Sequence, residues 1–286
     1  MRYEVLASGL RWRLRDYGGL DAGPWLLTVA APIKRPYVWD LAPSVSAVRY
    51  CLRQGLRVYL LEWTAPSGSN GNAGLAEYAV QGIAEAVAAL SREAGGMQLF
   101  LMGHSLGGTL AAIYAALGSQ SLKGLVLLSA PLCFQPSVSR AARDLRVVEV
   151  AGCDAQQRVT LWRGTSTPGS SAGHLTRSPC RAGWSIRCSS GSIARTDCAG
   201  NLDISQRTVG PACLRLPTLA VVNTADEIAP LASIKPFFDA MPGADVCVLE
   251  FPGEVGVGLQ HLGILVGRQA YAQVWPEIIS WLKARC

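Results

Sequence analysis

The chain has 286 residues, half of them apolar and 16% charged, with a net charge of +6. That length and apolar content give one large domain or two small ones around a sizeable buried core, and exclude disorder as the default state. The arginines are scattered and accompany no nucleic-acid motif, so the mild basic excess reads as solvated surface, not as a nucleic-acid interface. Met1-Arg2-Tyr3-Glu4-Val5 carries charge where a signal peptide needs an apolar core, and no apolar run approaches the roughly 18 residues of a membrane span. A cytoplasmic protein with no membrane span is the expectation. The nine cysteines are odd in number, irregularly spaced and contain no C-x-x-C pair, which favours reduced thiols over disulfides or a metal site.

Along the chain, Leu10, Trp12 and Leu14 alternate with Arg11, Arg13 and Arg15, the period-2 pattern of a half-exposed strand at an antiparallel edge. Trp25 to Ala30 is continuously apolar, as a strand buried on both faces should be. Ser44 to Gln54 reads as a helix, and Arg57 to Trp63 as the next strand. After a Gly/Ser/Asn loop over Ser67 to Gly74, helical spacing of Tyr78, Ala79, Ile83, Ala86, Val87 and Leu90 predicts a helix from Leu75 to about Glu93. Gln98 to Met102 reads as a buried strand, Leu106 to Leu117 as a helix and Gly124 to Ser129 as a strand. Pro217 to Val222 and Val246 to Glu250 resume the strand pattern, and a helix over Ala270 to Lys283 closes the chain.

Gly103-His104-Ser105-Leu106-Gly107 stands between the strand ending at Met102 and the helix starting at Leu106. A serine in G-x-S-x-G at a strand-to-helix turn is the nucleophile elbow of an α/β-hydrolase fold. Gly103, Gly107 and Gly108 are the small residues that so tight a turn demands. Alternating strands and helices predict the sheet of that fold, mostly parallel and covered on both faces. Residues 1–149 and 214–286 would form the core. Residues 150–213 hold five of the nine cysteines and runs such as Thr165 to Ser171, without apolar periodicity. They occupy the position of a cap or lid and predict a poorly ordered insert, of degenerate or frameshifted origin.

A serine hydroxyl needs a general base, and the base an orienting carboxylate. The chain offers three histidines. His104 adjoins the serine, where neighbouring side chains diverge, and His174 lies in the unpatterned insert. His261 follows the last strand and a glycine-rich loop, the position of the base in the order Ser, acid, His. The acid should follow the strand Pro217 to Asn223, which selects Asp226, with the adjacent Glu227 as rival. Oxyanion donors are expected at the Leu106 N–H, where the helix begins, and in the turn after Ala30, at Ile33 or Lys34. No metal or organic cofactor is needed.

Arg35-Pro36-Tyr37-Val38-Trp39-Asp40-Leu41-Ala42-Pro43, the helix and strand ending at Trp63, Asp226 to Pro230 and His261 to Arg268 together resemble polyhydroxyalkanoate synthases. The resemblance covers about residues 20–135 and 212–284 and implies an α/β-hydrolase core with a Cys-Asp-His triad. It also implies hydroxyacyl-coenzyme A substrates and admits a homodimer. Asp226 and His261 match that triad, whereas the family's G-x-C-x-G box here carries Ser105. A serine ester passes its acyl group to a thiol less readily than a thioester does, so the expectation is a serine hydrolase cleaving carboxylic esters. The alternatives are a synthase-like acyltransferase with a serine nucleophile, and an inactive fold that binds polyester granules or a partner.

Overall fold

Eight strands form one twisted sheet in the computed structural model. They are β1 (Glu4–Ser8), β2 (Trp12–Asp16), β3 (Trp25–Val29), β4 (Arg57–Trp63), β5 (Leu99–His104), β6 (Leu122–Leu128), β7 (Thr218–Asn223) and β8 (Val246–Phe251), in the spatial order β1-β2-β4-β3-β5-β6-β7-β8. The structure describes residues 1–32, 34–64, 74–93, 95, 98–118, 120–133, 185–187, 193–195, 201–204, 207–241 and 245–286. β2 runs antiparallel to both of its neighbours, and every pairing from β4 to β8 is parallel. The antiparallel strand read from the Trp12/Leu14 alternation is therefore second in the sheet. The edge is β1, whose mixed burial left no periodic signal.

Strands buried on both faces serve two cores. Leu27, Val29, Leu101 and Leu125 face one side, and Leu26, Phe100, Met102 and Val126 the other. Helices α2 (Ile83–Glu93) and α3 (Leu106–Ala116) cover the first face, while α1 (Ala47–Arg53) and α4 (Trp275–Lys283) cover the second. Nine of the eleven residues of α3 are buried, which explains why its sequence is apolar all round and not striped. α1 starts later than its pattern suggested, because the Ser46 hydroxyl accepts the Arg49 N–H at 3.0 Å and caps the helix there. The closing helix divides into a π-helical turn, Ala270–Val274, and α4. Pro276 supplies the reason, since it has no N–H to continue the ladder. A similar π-helical run, Ala76–Gly82, precedes α2.

Within 150–213, residues Leu202–Ile204 and Arg207–Val209 form an antiparallel pair, and Ser185–Arg187 pairs with Ile193–Arg195. Leu202, Ile204, Val209 and Leu214 are buried in the first core. The insert's lack of apolar periodicity thus did not reveal the strands at Leu202–Ile204 and Arg207–Val209, whose three residues each give an alternation too short to read. Residues 150–184, 188–192, 196–200 and 205–206, His174 included, lie outside the described residues. Among the described residues no helix is long and apolar enough to cross a membrane, and Cys51, Cys213, Cys247 and Cys286 are free thiols.

Candidate active site

The parallel strands end together at one edge of the sheet, where ligands of such folds bind. Val29 is in register with Gly103 and His104 with Leu128, so the ends of β3, β5 and β6 are level. Ser105 follows β5 directly and starts α3, with φ 57° and ψ −134°. That conformation strains a non-glycine residue by about 1–3 kcal/mol. Its neighbours must be glycine for lack of room. A Cβ on Gly103 would lie 2.5 Å from the Gly107 carbonyl oxygen, and one on Gly107 would lie 2.3 Å from the Val29 carbonyl oxygen. The backbone holds the strain through Ser105 N–H to the Leu128 carbonyl, 2.9 Å, and Gly108 N–H to the Ser105 carbonyl, 2.9 Å.

Three side chains chosen from sequence meet here. Ser105 Oγ lies 2.7 Å from His261 Nε2, and His261 Nδ1 lies 2.7 Å from Asp226 Oδ2. All three are buried. The second carboxylate oxygen of Asp226, Oδ1, accepts the Ile228 N–H at 2.8 Å and the Ala229 N–H at 3.2 Å. Burial opposes ionisation of Asp226, but the bonds from His261 and from these two amides outweigh it and hold the carboxyl below its ordinary value. Burial lowers the basicity of His261. Asp226 opposes that shift, the Lys34 charge adds to it, and the net effect is downward. The imidazole therefore stays neutral and able to accept a proton. Glu227, the rival acid, is exposed on the surface.

Leu106 is the first residue of α3, so its N–H has no acceptor within the helix. Ile33 lies outside the described residues. The Lys34 N–H is engaged in the turn after β3, donating to the Ala31 carbonyl at 3.0 Å, which removes it as an oxyanion donor. The Trp63 indole fixes the start of the same segment by donating to the Ala30 carbonyl at 2.6 Å.

Three contributors escaped sequence reasoning. The Lys34 ammonium is buried with no hydrogen-bond partner among the described residues. Burial pushes its pKa down to about 8 against the pull of Asp226. Asn223 Nδ2 donates to the Gln260 carbonyl at 2.8 Å. His104 Nε2 donates to the His261 carbonyl at 2.8 Å. No local signal joins residues so far apart in the chain. Among the described residues no group of His, Cys, Asp and Glu side chains could hold a metal ion.

A serine at a strained strand-to-helix turn, a histidine after the last strand and an aspartate after β7 define an α/β-hydrolase-type fold and site. The chain belongs to the alpha/beta hydrolase fold family, which matches residues 39–250. Its relatives include the "Poly(3-hydroxyalkanoate) polymerase subunit PhaC" of Haloferax mediterranei, 27% identical over 295 residues, covering 91% of this chain and 58% of that protein. The subunit of the same name from Allochromatium vinosum is 24% identical over 305 residues, covering 95% of this chain and 84% of that one. Among solved structures, the monoacylglycerol lipase of Paleococcus ferrophilus superposes with a TM-score of 0.56 at 17% identity, over the whole of both chains. That last likeness concerns the fold. The chain thus spans little more than half the length of its Haloferax relative and most of its Allochromatium one.

Proposed function

We propose that the chain is an acyl-transfer enzyme of the polyhydroxyalkanoate polymerase kind, working through a serine acyl-enzyme on hydroxyacyl-coenzyme A thioesters. The observation that carries this reading is the continuous relay Ser105–His261–Asp226, with 2.7 Å at each step, in a chain whose relatives are named polymerases. In the first half-reaction His261 Nε2 takes the Ser105 proton as Oγ attacks the acyl carbon. Asp226 keeps the proton on Nδ1 and stabilises the imidazolium. The Leu106 N–H, with one from the segment around Ile33, receives the oxyanion. The C–S bond breaks, and the His261 proton leaves with the coenzyme A thiol. In the second half-reaction His261 deprotonates the hydroxyl of another hydroxyacyl unit, which attacks the acyl-serine, forms a new ester and returns the proton to Ser105. In this reading residues 1–149 and 214–286 are the catalytic core, and 150–213 is an insert in the cap position.

A second reading, hydrolysis of carboxylic esters, is favoured by one feature: Ser105 stands where the synthase box has cysteine. Water then takes the place of the hydroxyl acceptor. Incubation with 3-hydroxybutyryl-coenzyme A distinguishes the two. Thiol release with formation of oligomer is expected for acyl transfer, and release of free hydroxy acid alone would select hydrolysis. Labelling by a fluorophosphonate should disappear in Ser105→Ala and His261→Ala. Equal labelling of wild type and Ser105→Ala would sink both readings.

A further inference from the structure

His261 follows an exposed, glycine-rich loop. It sits in a short 3-10 turn, Gln260–Leu262, after a loop in which Gly253 and Gly256 take positive φ and Val255 is 85% exposed. Asp226 fixes the rotation of the imidazole through Nδ1, but it does not fix the backbone from which the ring projects. Two side chains on the sheet do so, at consecutive carbonyls. Asn223, the last residue of β7, holds the Gln260 carbonyl, and His104, the last residue of β5, holds the His261 carbonyl. These strands flank β6, so the base is tied to the rigid sheet from both sides.

The bond from His104 also fixes a proton. A backbone carbonyl only accepts, so His104 Nε2 must carry the hydrogen. The ring is fully enclosed, and its centroid lies 4.9 Å from that of His261, tilted by 44°. Burial, the Lys34 charge and His261 all hold it well below its ordinary pKa, so it stays a neutral donor while His261 gains and loses its proton. Such constancy suits a fixture.

We propose that His104, the variable residue of the elbow, is a positioning residue for the general base: its Nε2–H ties the His261 main chain to the end of β5, so that one strand carries both the nucleophile and the anchor of its base. Because Ser105 follows His104 directly, any shift of the elbow moves nucleophile and base together. The 2.7 Å separation of Ser105 Oγ and His261 Nε2 is thereby insulated from motion of the glycine-rich loop. The proposal rests on His261 serving Ser105 as its base.

The test compares His104→Phe, which keeps a ring and loses the donor, with His104→Gln, whose amide nitrogen reaches about as far as Nε2. His104→Phe should slow fluorophosphonate labelling of Ser105 and kcat on a p-nitrophenyl ester by roughly 10- to 100-fold, the scale of a displacement near 1 Å. KM should stay within about twofold, and His104→Gln should recover most of the loss. Equal losses in both variants, or a loss confined to KM, would overturn the positioning role. Should the phenylalanine variant not fold, long-range ¹H–¹⁵N NMR of the wild type carries the test. His104 must appear as the neutral Nε2–H tautomer across the pH range in which His261 titrates, and an Nδ1–H tautomer would overturn the proposal by itself. Failure of the wild type to label would instead sink the functional reading, and this role with it.

Discussion

Replacing Asp226 with asparagine should cost the enzyme far more activity than stability, for a reason visible in which oxygen bonds to which group. Oδ1 accepts two backbone N–H groups, from Ile228 and Ala229, while Oδ2 faces His261 Nδ1. An asparagine at 226 must keep its carbonyl oxygen towards those two donors, because turning its NH₂ there would set donor against donor twice. The NH₂ then occupies the Oδ2 position and donates to His261 Nδ1. An Nδ1 that accepts forces the proton onto Nε2, the atom 2.7 Å from Ser105 Oγ. The base is then protonated on the side where it must accept. Loss of the right tautomer in such a triad costs about 10⁴-fold in kcat, or about 5.5 kcal/mol of transition-state stabilisation. The asparagine is isosteric and keeps both backbone bonds, so the thermal midpoint should move by only a few degrees. The assay is the rate of fluorophosphonate labelling together with ester turnover, with Glu227→Gln as a control within about twofold. A loss of less than tenfold in Asp226→Asn, with the fold intact, would refute the tautomer argument.

Lys34→Met should move the acid limb of kcat/KM to higher pH. The Lys34 charge helps to depress the His261 pKa, so its removal raises that pKa and leaves more of the base protonated at a given low pH; an unmoved limb, or one moved downward, would refute the coupling. Gly103→Ala should abolish soluble folded protein or lower the thermal midpoint drastically, since the new Cβ would meet the Gly107 oxygen and the Gly108 backbone at 2.5 Å, and calorimetry of any soluble fraction measures it. Cys51 is fully enclosed, and burial pushes its thiol up to about 12. In native protein at pH 8 a maleimide should therefore modify the exposed Cys213 and Cys247 and spare Cys51, and peptide mapping would expose the error if Cys51 reacts at a similar rate.

Sequence made the strand-helix alternation legible because a strand buried on both faces leaves a nearly continuous apolar run, as at Trp25–Val29, broken only by Thr28, and over Leu99 to Met102. That Ser105, Asp226 and His261 would meet was legible for another reason. Each member sits at a strand end, and the order of elements in the fold puts strand ends at one edge, so a search of three histidines and one acidic pair sufficed. What stayed hidden was everything decided by distance across the fold. His104 looked irrelevant because adjacent side chains diverge, and it does avoid Ser105. It instead meets the carbonyl of a residue 157 positions on. Lys34 was legible only as a backbone donor, and its backbone N–H is engaged in a turn while its side chain reaches the triad's electrostatic surroundings. β1 stayed hidden because its mixed burial leaves no alternation, and the strands Leu202–Ile204 and Arg207–Val209 because three residues give too few repeats for period 2 to stand out.

The serine in the elbow constrains the chemistry less than its contrast with cysteine suggests. Moving an acyl group from a coenzyme A thioester to Ser105 exchanges a thioester for an oxygen ester and runs downhill. Passing it from Ser105 to the hydroxyl of another hydroxyacyl unit exchanges one oxygen ester for another at nearly equal energy. Only return to a thiol runs uphill, and polymer growth on a hydroxyl acceptor never asks for that. Serine thus permits both the loading and the transfer step, and water competes at the second step alone. Both acceptors must give their proton to the same atom, His261 Nε2, so neither gains an advantage from the base. The outcome follows from which acceptor occupies the space beside Nε2 when the acyl-serine is present.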